Sequence, residues 1–253
     1  MNAQNSGTRD KLGTLGQLIE KNVNQLRKRL LSTEHVHFLH VGKTGGTALV
    51  HAFRNFPPTG NRIFTLHGHI TTLTDIPVGE KVVFVLRNPP SRFVSGFNSR
   101  LREGKPRYNA PWTDDERIAF ERFPCPNGLA EAIRSEVPQE RAAAEHAMNT
   151  IIHVSDRYSK WFGSLEYLMD RQADIKFIGF QETLSDDFEK LKTVLGIPNN
   201  ATLPSDEISA HKTPEGLRKK LSAKAQENLR HWYADDFEYL RYAHSLMEAK
   251  SGT

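Results

Sequence analysis

The sequence has a single cysteine, Cys125, and no long apolar run. One cysteine cannot form an intrachain disulfide, so nothing in the chain requires an oxidising compartment. The longest unbroken apolar stretch, Val82 to Leu86, is far shorter than the roughly 20 residues that a membrane-spanning helix needs. No N-terminal segment has the apolar core of a secretory signal either. We therefore expect a cytoplasmic protein without a membrane span.

Neither sign of charge dominates, because 34 Lys and Arg residues stand against 30 Asp and Glu residues. A net charge of +4 suits an anionic ligand, although many proteins without such a ligand share it. The basic residues form no extended stripe, and the short basic runs fall on predicted helices, where they belong to a solvated face. We expect no nucleic-acid partner, and the sequence does not indicate an oligomeric state.

Apolar segments with the composition of strands alternate with segments of helical periodicity. The predicted strands are 34–41, 62–66, 81–87 and 175–180. The segments at 81–87 and 175–180 are almost continuously apolar, as in strands that are buried on both faces of a parallel sheet. Helices are predicted after the first strand, from Pro89 to about 102, over 184–195 and over most of 215–248. The pattern predicts an α/β fold with a central parallel sheet and helices on both faces.

The chain divides into a short N-terminal part and one large domain. Residues 1–33 comprise a polar tail and an amphipathic helix over 11–31, and residues 34–248 form the predicted domain. Within it, 104–127 is rich in Pro, Gly and charge and is predicted to be irregular. Helical patches are expected at 128–148 and 163–171, and a loop at 198–214.

The first chemical motif is GKTGGT at 42–47, between the first strand and its helix. Glycines let the backbone approach an anion closely, and the N–H groups of the following helix start point towards it. Lys43 adds a positive charge, and Thr44 and Thr47 add hydroxyl donors. A Walker A loop would need a glycine at position 37, which is His37, so the nucleoside-triphosphate motif fails on spacing. The loop predicts an anion site.

The second motif is RNPPSRFVSGF at 87–97. Arg87 ends a buried strand, so its guanidinium should emerge at the carboxyl edge of the sheet, where ligands of open α/β sheets bind. Ser95 follows inside the next helix and could contact the same anion. An ordinary surface ion pair for Arg87 and an exposed helical Ser95 remain the alternative.

Taken together, FLHVGKTGGTAL and VVFVLRNPPSRFVSGF resemble the sulfotransferase superfamily, in particular the branch of carbohydrate sulfotransferases and their bacterial relatives. The late strand FIGFQE and the terminal stretch 211–239 extend the resemblance to roughly residues 34–242, loosely over 104–170. Two departures are Gly42, where family members often have proline, and Asn88, which is commonly Asp.

The resemblance implies a three-layer fold similar to P-loop NTPases and a donor, 3′-phosphoadenosine 5′-phosphosulfate (PAPS), whose product is 3′,5′-diphosphoadenosine (PAP). It places the 5′-phosphosulfate on Lys43, Thr44, Gly45, Gly46 and Thr47. It places the 3′-phosphate on Arg87 and Ser95, with Lys212 as a less securely aligned second contact. An exposed, merely solvated lysine is the alternative for Lys212. No metal is required.

Histidines form the third motif, with His67 and His69 in the sequence His-Gly-His and with His35, His37 and His40 on the first strand. His-x-His is also a metal-ligand pattern, but no Asp or Glu plainly completes a site, so a metal hydrolase is a weak alternative. For the first-strand histidines we favour hydrogen-bonded side chains near a sheet edge. For the His-Gly-His pair the resemblance implies a general base, with His69 preferred and His67 as its neighbour or substitute.

These residues predict in-line transfer of a sulfuryl group to an acceptor hydroxyl, with Lys43 neutralising the bridging oxygen as it takes up charge. The acceptor is expected to be a carbohydrate or another small metabolite. A basic cluster could favour an anionic sugar, although a solvated helix face explains it equally well; its members are Arg92, Arg100, Arg102, Lys105 and Arg107. A small-molecule kinase and a non-catalytic nucleotide-binding module are the alternatives from other classes.

Overall fold

A parallel sheet of four strands forms the centre of the protein, in a computed structural model that describes residues 33–204 and 220–251. The strands are β1 (Glu34–Leu39), β2 (Arg62–Leu66), β3 (Lys81–Leu86) and β4 (Ile175–Phe180). Their order in the sheet is β2-β1-β3-β4, and each neighbouring pair is parallel. The predicted α/β fold with a parallel sheet is confirmed.

Helices occupy most of the remaining described chain. Those before β4 are α1 (Gly46–Asn55), α2 (Pro89–Leu101), α3 (Asp114–Arg122), α4 (Pro126–Ala132), α5 (Pro138–Thr150), α6 (Ser159–Phe162) and α7 (Leu165–Asp170). Those after β4 are α8 (Leu184–Leu195), α9 (Ala223–Trp232) and α10 (Ala234–Ser251). Within residues 33–204 and 220–251, no helix is both long and apolar enough to cross a membrane. The N-terminal helix predicted over 11–31 lies outside these residues, as does Lys212.

The sheet is covered on both faces, which gives the three-layer arrangement. Helices α1 and α8 cover one face, where the buried residues include Val36, Phe38, Leu49, Phe53, Val83, Val85, Phe177 and Phe188. The segment around Leu73 and helices α6, α7 and α10 cover the other face. Because side chains alternate between the faces of a strand, β1 and β3 contribute apolar residues to both layers.

Helices α2, α3, α4, α5 and α9 pack around a further apolar core. The expectation that 104–127 is irregular was wrong for α3 and for the start of α4. Helix α3 is mostly polar, but it begins with a capping box in which the Thr113 and Glu116 side chains bond each other's backbone N–H. Only Glu116, Ala119 and Phe120 of this helix are buried, so its sequence lacks a clear apolar stripe.

The order of the strands fixes the position of a crevice. The chain leaves β1, crosses over to β2 on one side, and then returns to form β3 on the other side of β1. The connections after β1 and β3 therefore diverge at the carboxyl edge of the sheet, and ligands of open α/β sheets bind at such a point. The two predicted anion motifs follow these two strands.

Candidate active site

The loop at 42–47 leaves β1 in a conformation suited to an anion. Lys43 and Gly45 both have left-handed backbone, with φ of 66° and 92°. Glycine adopts this conformation readily, whereas for lysine it is uncommon and strained. Gly45 is the N-cap of α1 and makes no side-chain capping hydrogen bond. The first N–H groups of α1 are thus directed at the crevice without a capping side chain.

Gly46 is needed for a close contact within this loop. A Cβ atom at Gly46 would lie 2.5 Å from Cδ2 of His40 and 2.8 Å from its Nε2. Real Cβ atoms essentially never approach so closely, so the bare glycine leaves room for the His40 ring. The start of α1 and the end of β1 are packed together through this contact.

Thr44 differs from the expectation for its hydroxyl. Its side chain is fully buried, and Oγ1 donates a hydrogen bond to the carbonyl oxygen of Val41 over 3.0 Å. The hydroxyl therefore braces the loop, and only the backbone N–H of Thr44 can serve a ligand. Thr47 lies in the first turn of α1 and is partly exposed.

Arg87 is held at the carboxyl end of β3 by three elements. The Tyr158 hydroxyl accepts from the Arg87 backbone N–H (2.9 Å) and donates to its carbonyl oxygen (2.5 Å). The guanidinium donates through Nε to Ser91 Oγ (2.8 Å) and through Nη1 to the carbonyl oxygen of Lys43 (3.4 Å). Ser91 lies four residues after Arg87, whereas Ser95, the partner predicted from the sequence, lies one helical turn further along the chain. The prediction missed the nearer serine.

Positive charge is concentrated around Lys43. Burial lowers the pKa of its ammonium group to about 7, and Arg102, Arg87, Arg107 and Arg92 act in the same direction. Burial also lowers the pKa of Arg87, although a guanidinium stays charged in proteins. Cations held this close repel one another unless an anion binds among them. The residues therefore fit a ligand with several negative charges, such as the phosphosulfate and 3′-phosphate of PAPS.

Arg92 has a structural role, contrary to the sequence reading that placed it in a basic surface cluster. It is 2% exposed, donates through Nε to the Gly42 carbonyl oxygen (3.0 Å), and pairs with Asp236 (3.4 Å). Its guanidinium also lies 5.0 Å from the ring of Tyr158 and 5.2 Å from that of Trp161. Arg92 thus ties the loop to α10.

Arg100, from the same predicted cluster, is also withdrawn from the surface. It is 3% exposed and makes a two-pronged ion pair with buried Glu116, at 2.6 Å and 2.5 Å. Arg102 and Arg107 belong to the same predicted cluster but are not buried in the core. Their charges lower the pKa of Lys43.

His69 follows β2 and packs on the His40 ring, with ring centroids 3.9 Å apart. Its Nδ1 lies 3.2 Å from the His40 carbonyl oxygen, and its own carbonyl oxygen accepts from Trp161 Nε1 (2.9 Å). A carbonyl oxygen can only accept, so Nδ1 carries the proton and Nε2 of a neutral ring carries the lone pair. Burial lowers the pKa of His69; the bond to His40 opposes this, and the charges of His153 and Lys43 reinforce it.

His67 lies apart from His69 and contacts another set of residues. Its Nε2 is 2.8 Å from Nδ1 of His37, whose Nε2 is 2.5 Å from Glu80 Oε2. His35 Nδ1 lies 3.5 Å from the other oxygen of Glu80. His37 is thus hydrogen-bonded, as expected for a first-strand histidine. Among the described residues, no group of three or more histidine, cysteine or acidic side chains is arranged to hold a metal ion.

His153 is another histidine near the site. It has a φ of 70°, and its Nδ1 lies 3.6 Å from Asp156 Oδ2. Burial lowers the pKa of His153, and the nearby charge of Lys43 acts in the same direction. Burial alone would raise the pKa of Asp156, but hydrogen bonds from His153 and Lys160 outweigh it and bring that pKa to about 2. The pair is a neutral imidazole beside a carboxylate.

The fold and these residues define an α/β protein with a polyanion site at the carboxyl edge of its sheet. The model of the sulfotransferase family matches residues 29–243, so the chain belongs to this family, whose sulfuryl donor is PAPS. Among solved structures, a mouse sulfotransferase, SULT7A1 complexed with PAP, is similar with 13% identity and a TM-score of 0.37 over 85% of this chain and 89% of that one. No curated protein matches the chain.

Proposed function

We propose that this sulfotransferase transfers the sulfuryl group of PAPS to a hydroxyl of a carbohydrate or another small metabolite by in-line displacement, without a metal. PAPS supplies an activated sulfuryl group whose leaving group is a phosphate. Such transfers need little covalent chemistry from the protein, which mainly positions the reactants and stabilises charge. Residues 34–248 would form the transferase domain.

The arrangement of Lys43 and Arg87 carries the proposal. Arg87 Nη1 lies 3.4 Å from the Lys43 carbonyl oxygen, so the two anion motifs meet in the crevice. We assign the 5′-phosphosulfate to Lys43, Thr47 and the N–H groups of 44–46, with Lys43 stabilising charge on the bridging oxygen. We assign the 3′-phosphate to Arg87 and Ser95. Lys212 remains a proposed second contact for it.

His69 is the proposed general base. With Nδ1–H directed at the His40 carbonyl oxygen, the lone pair on Nε2 can accept the proton of the acceptor hydroxyl. Burial is the main cause that lowers the pKa of His69 and so favours the neutral imidazole before transfer, and the charges of His153 and Lys43 act in the same direction. His67 is the first substitute, and the next candidates are Glu182 and His153, which lies beside Asp156.

Nucleotide selectivity tests the proposal. Calorimetry should give tight binding of PAP and weak binding of AMP, because Arg87 and Ser95 would recognise the 3′-phosphate. Equal affinity for the two nucleotides would contradict the donor assignment. Tighter binding of ATP than of PAP would favour the small-molecule kinase.

Turnover tests catalysis separately. Transfer of radiolabelled sulfate from PAPS should be measured against a panel of sugars, anionic sugars and phenols. Transfer to one acceptor class, abolished by denaturing the enzyme, supports the proposal and names that class. PAP binding without transfer to any acceptor would favour a non-catalytic nucleotide-binding module.

A further inference from the structure

A line of three hydrogen-bonded side chains runs across the sheet beside the proposed site. His67 Nε2 lies 2.8 Å from His37 Nδ1, and His37 Nε2 lies 2.5 Å from Glu80 Oε2. The two imidazole rings are stacked with centroids 5.1 Å apart and planes 18° apart. None of the three residues contributes to the donor site. His37 is buried, at 8% exposure, and buried polar atoms such as its two ring nitrogens need hydrogen-bond partners.

The chemistry of the three groups fixes which atom donates and which accepts in each hydrogen bond. An ionised carboxylate only accepts hydrogen bonds, so Nε2–H of His37 donates to Glu80. Nδ1 of a neutral His37 is then an acceptor and receives the Nε2–H of His67. His67 is therefore fixed as the Nε2–H tautomer, with the lone pair on Nδ1. The carboxylate thus determines the proton positions on a histidine that it does not touch.

The line also connects rigid and irregular parts of the chain. His37 lies within β1 and Glu80 immediately precedes β3, so both are set by the sheet. His67 is the first residue after β2, and its backbone N–H donates to the Phe38 carbonyl oxygen over 3.1 Å. Beyond it, the chain turns through Gly68 to His69. The His67 ring is the last side chain anchored to the sheet before the proposed base.

We propose that His37 and Glu80 are positioning residues, which hold the His67 ring in one orientation and one tautomer and thereby set the path of segment 67–69. This inference rests on the proposed role of His69. Because reacting groups must be placed closely, a loose segment would lower turnover without weakening nucleotide binding. Burial is the main cause that lowers the pKa of His67, His37 acts in the same direction, and the charge of Asp75 opposes both.

Two substitutions of His37 separate this role from space filling. In His37→Asn the amide oxygen takes the place of Nδ1 and can accept from His67, while contact with Glu80 is lost. In His37→Gln the amide nitrogen takes the place of Nε2 and can donate to Glu80, while contact with His67 is lost. We expect kcat to fall about 10- to 100-fold in His37→Gln and to be largely retained in His37→Asn. PAP affinity should be unchanged in both.

His35→Asn is the matched control, because His35 faces the other Glu80 oxygen at 3.5 Å without contacting His67. It should leave kcat unchanged. Equal losses of kcat in the Asn and Gln variants of His37, in step with their melting temperatures, would show that His37 only fills space and would overturn the proposal. Unchanged kcat in His37→Gln would overturn it as well.

Nitrogen NMR of histidine-labelled protein tests the tautomer without reference to catalysis. The resonances of His67 can be assigned by their loss in His67→Asn. At neutral pH they should report the Nε2–H tautomer in the unsubstituted protein and a tautomer mixture in His37→Gln. The Nδ1–H tautomer in the unsubstituted protein would refute the inference even if PAP binding and turnover were normal. Failure of PAP binding or transfer would instead refute the proposed function and leave this measurement valid.

Discussion

The guanidinium of Arg87 donates a hydrogen bond to the carbonyl oxygen of Lys43 over 3.4 Å. The bond joins the residue that ends β3 to the loop that follows β1, although the two are 44 residues apart in the sequence. The proposed sites for the two ends of the nucleotide are therefore in direct contact.

Arg87→Ala should weaken PAP binding by about 1.5–3 kcal/mol, the scale of a hydrogen bond to a charged group. AMP lacks the 3′-phosphate, so its affinity should change little. Calorimetry with both nucleotides makes the measurement, and Arg230→Ala serves as a control because Arg230 is exposed on α9. Equal losses for PAP and AMP would place Arg87 outside the proposed 3′-phosphate site.

Lys43→Ala should lower kcat by about 10²- to 10³-fold, as does loss of a group that stabilises developing charge. Its effect on PAP affinity should be smaller, because the proposed partner of Lys43 takes up charge during transfer. Steady-state kinetics with varied PAPS distinguishes the two effects. A raised KM for PAPS with unchanged kcat would make Lys43 a binding residue alone.

Binding of PAP should be accompanied by proton uptake. In the free protein the pKa of Lys43 is about 7, below its ordinary value of 10.5. At about pH 8 the Lys43 amine is therefore neutral in most molecules. Phosphate groups should raise this pKa, and Lys43 then gains up to one proton, with less uptake below pH about 7. Calorimetry in buffers of different ionisation enthalpy measures the uptake. Uptake of the same size in Lys43→Met would assign the proton to another group.

His69→Ala should reduce kcat by about 10²-fold or more while PAP affinity is preserved. The pKa of His69 is lowered from 6.5, so the acidic limb of the pH–rate profile should lie below the ordinary histidine range and vanish in the variant. Activity rises with pH through that limb because the base must be unprotonated. If His67→Ala or His153→Ala loses the limb while His69→Ala keeps it, that histidine is the base.

Gly46→Ala should disturb the site, because its Cβ would lie 2.5 Å from the His40 ring, on which His69 packs. We expect a loss of kcat and a lowered melting temperature. Gly68→Ala is the matched control: nothing lies within 4 Å of a Cβ built there, although Gly68 adjoins both histidines. If both alanine variants keep normal kcat and melting temperature, the His40 ring moves aside without consequence.

The sheet could be predicted from the sequence because β3 and β4 are almost continuously apolar. The bounds of β2, β4 and α8 agree with the prediction residue for residue. Helix α3 could not be predicted in the same way, since a capping box and the buried Arg100–Glu116 pair stabilise a helix that shows little apolar periodicity. A partner as distant as Arg100 is not visible in a local pattern.

The same limit applies to the site. The glycine loop and Arg87 could be predicted because short motifs contain them. The sequence did not reveal the hydrogen bond between the Arg87 backbone and the Tyr158 hydroxyl, which are 71 residues apart. Nor did it reveal the hydrogen bond between His37 and Glu80, which are 43 residues apart. Nor did it distinguish Ser91 from Ser95 as the partner of the Arg87 side chain, because both lie on the same helical face.

Trp161 limits which residue can occupy position 42. A Cβ at Gly42 would lie 3.1 Å from Cζ2 of the indole, tighter than most real contacts. Two contacts of the indole, with the Arg92 guanidinium at 5.2 Å and with the His69 carbonyl oxygen at 2.9 Å, oppose a shift away from position 42. Replacement of Gly42 by proline therefore requires the Trp161 indole to shift by a few tenths of an ångström, so the residue tolerated at position 42 depends on the residue at position 161.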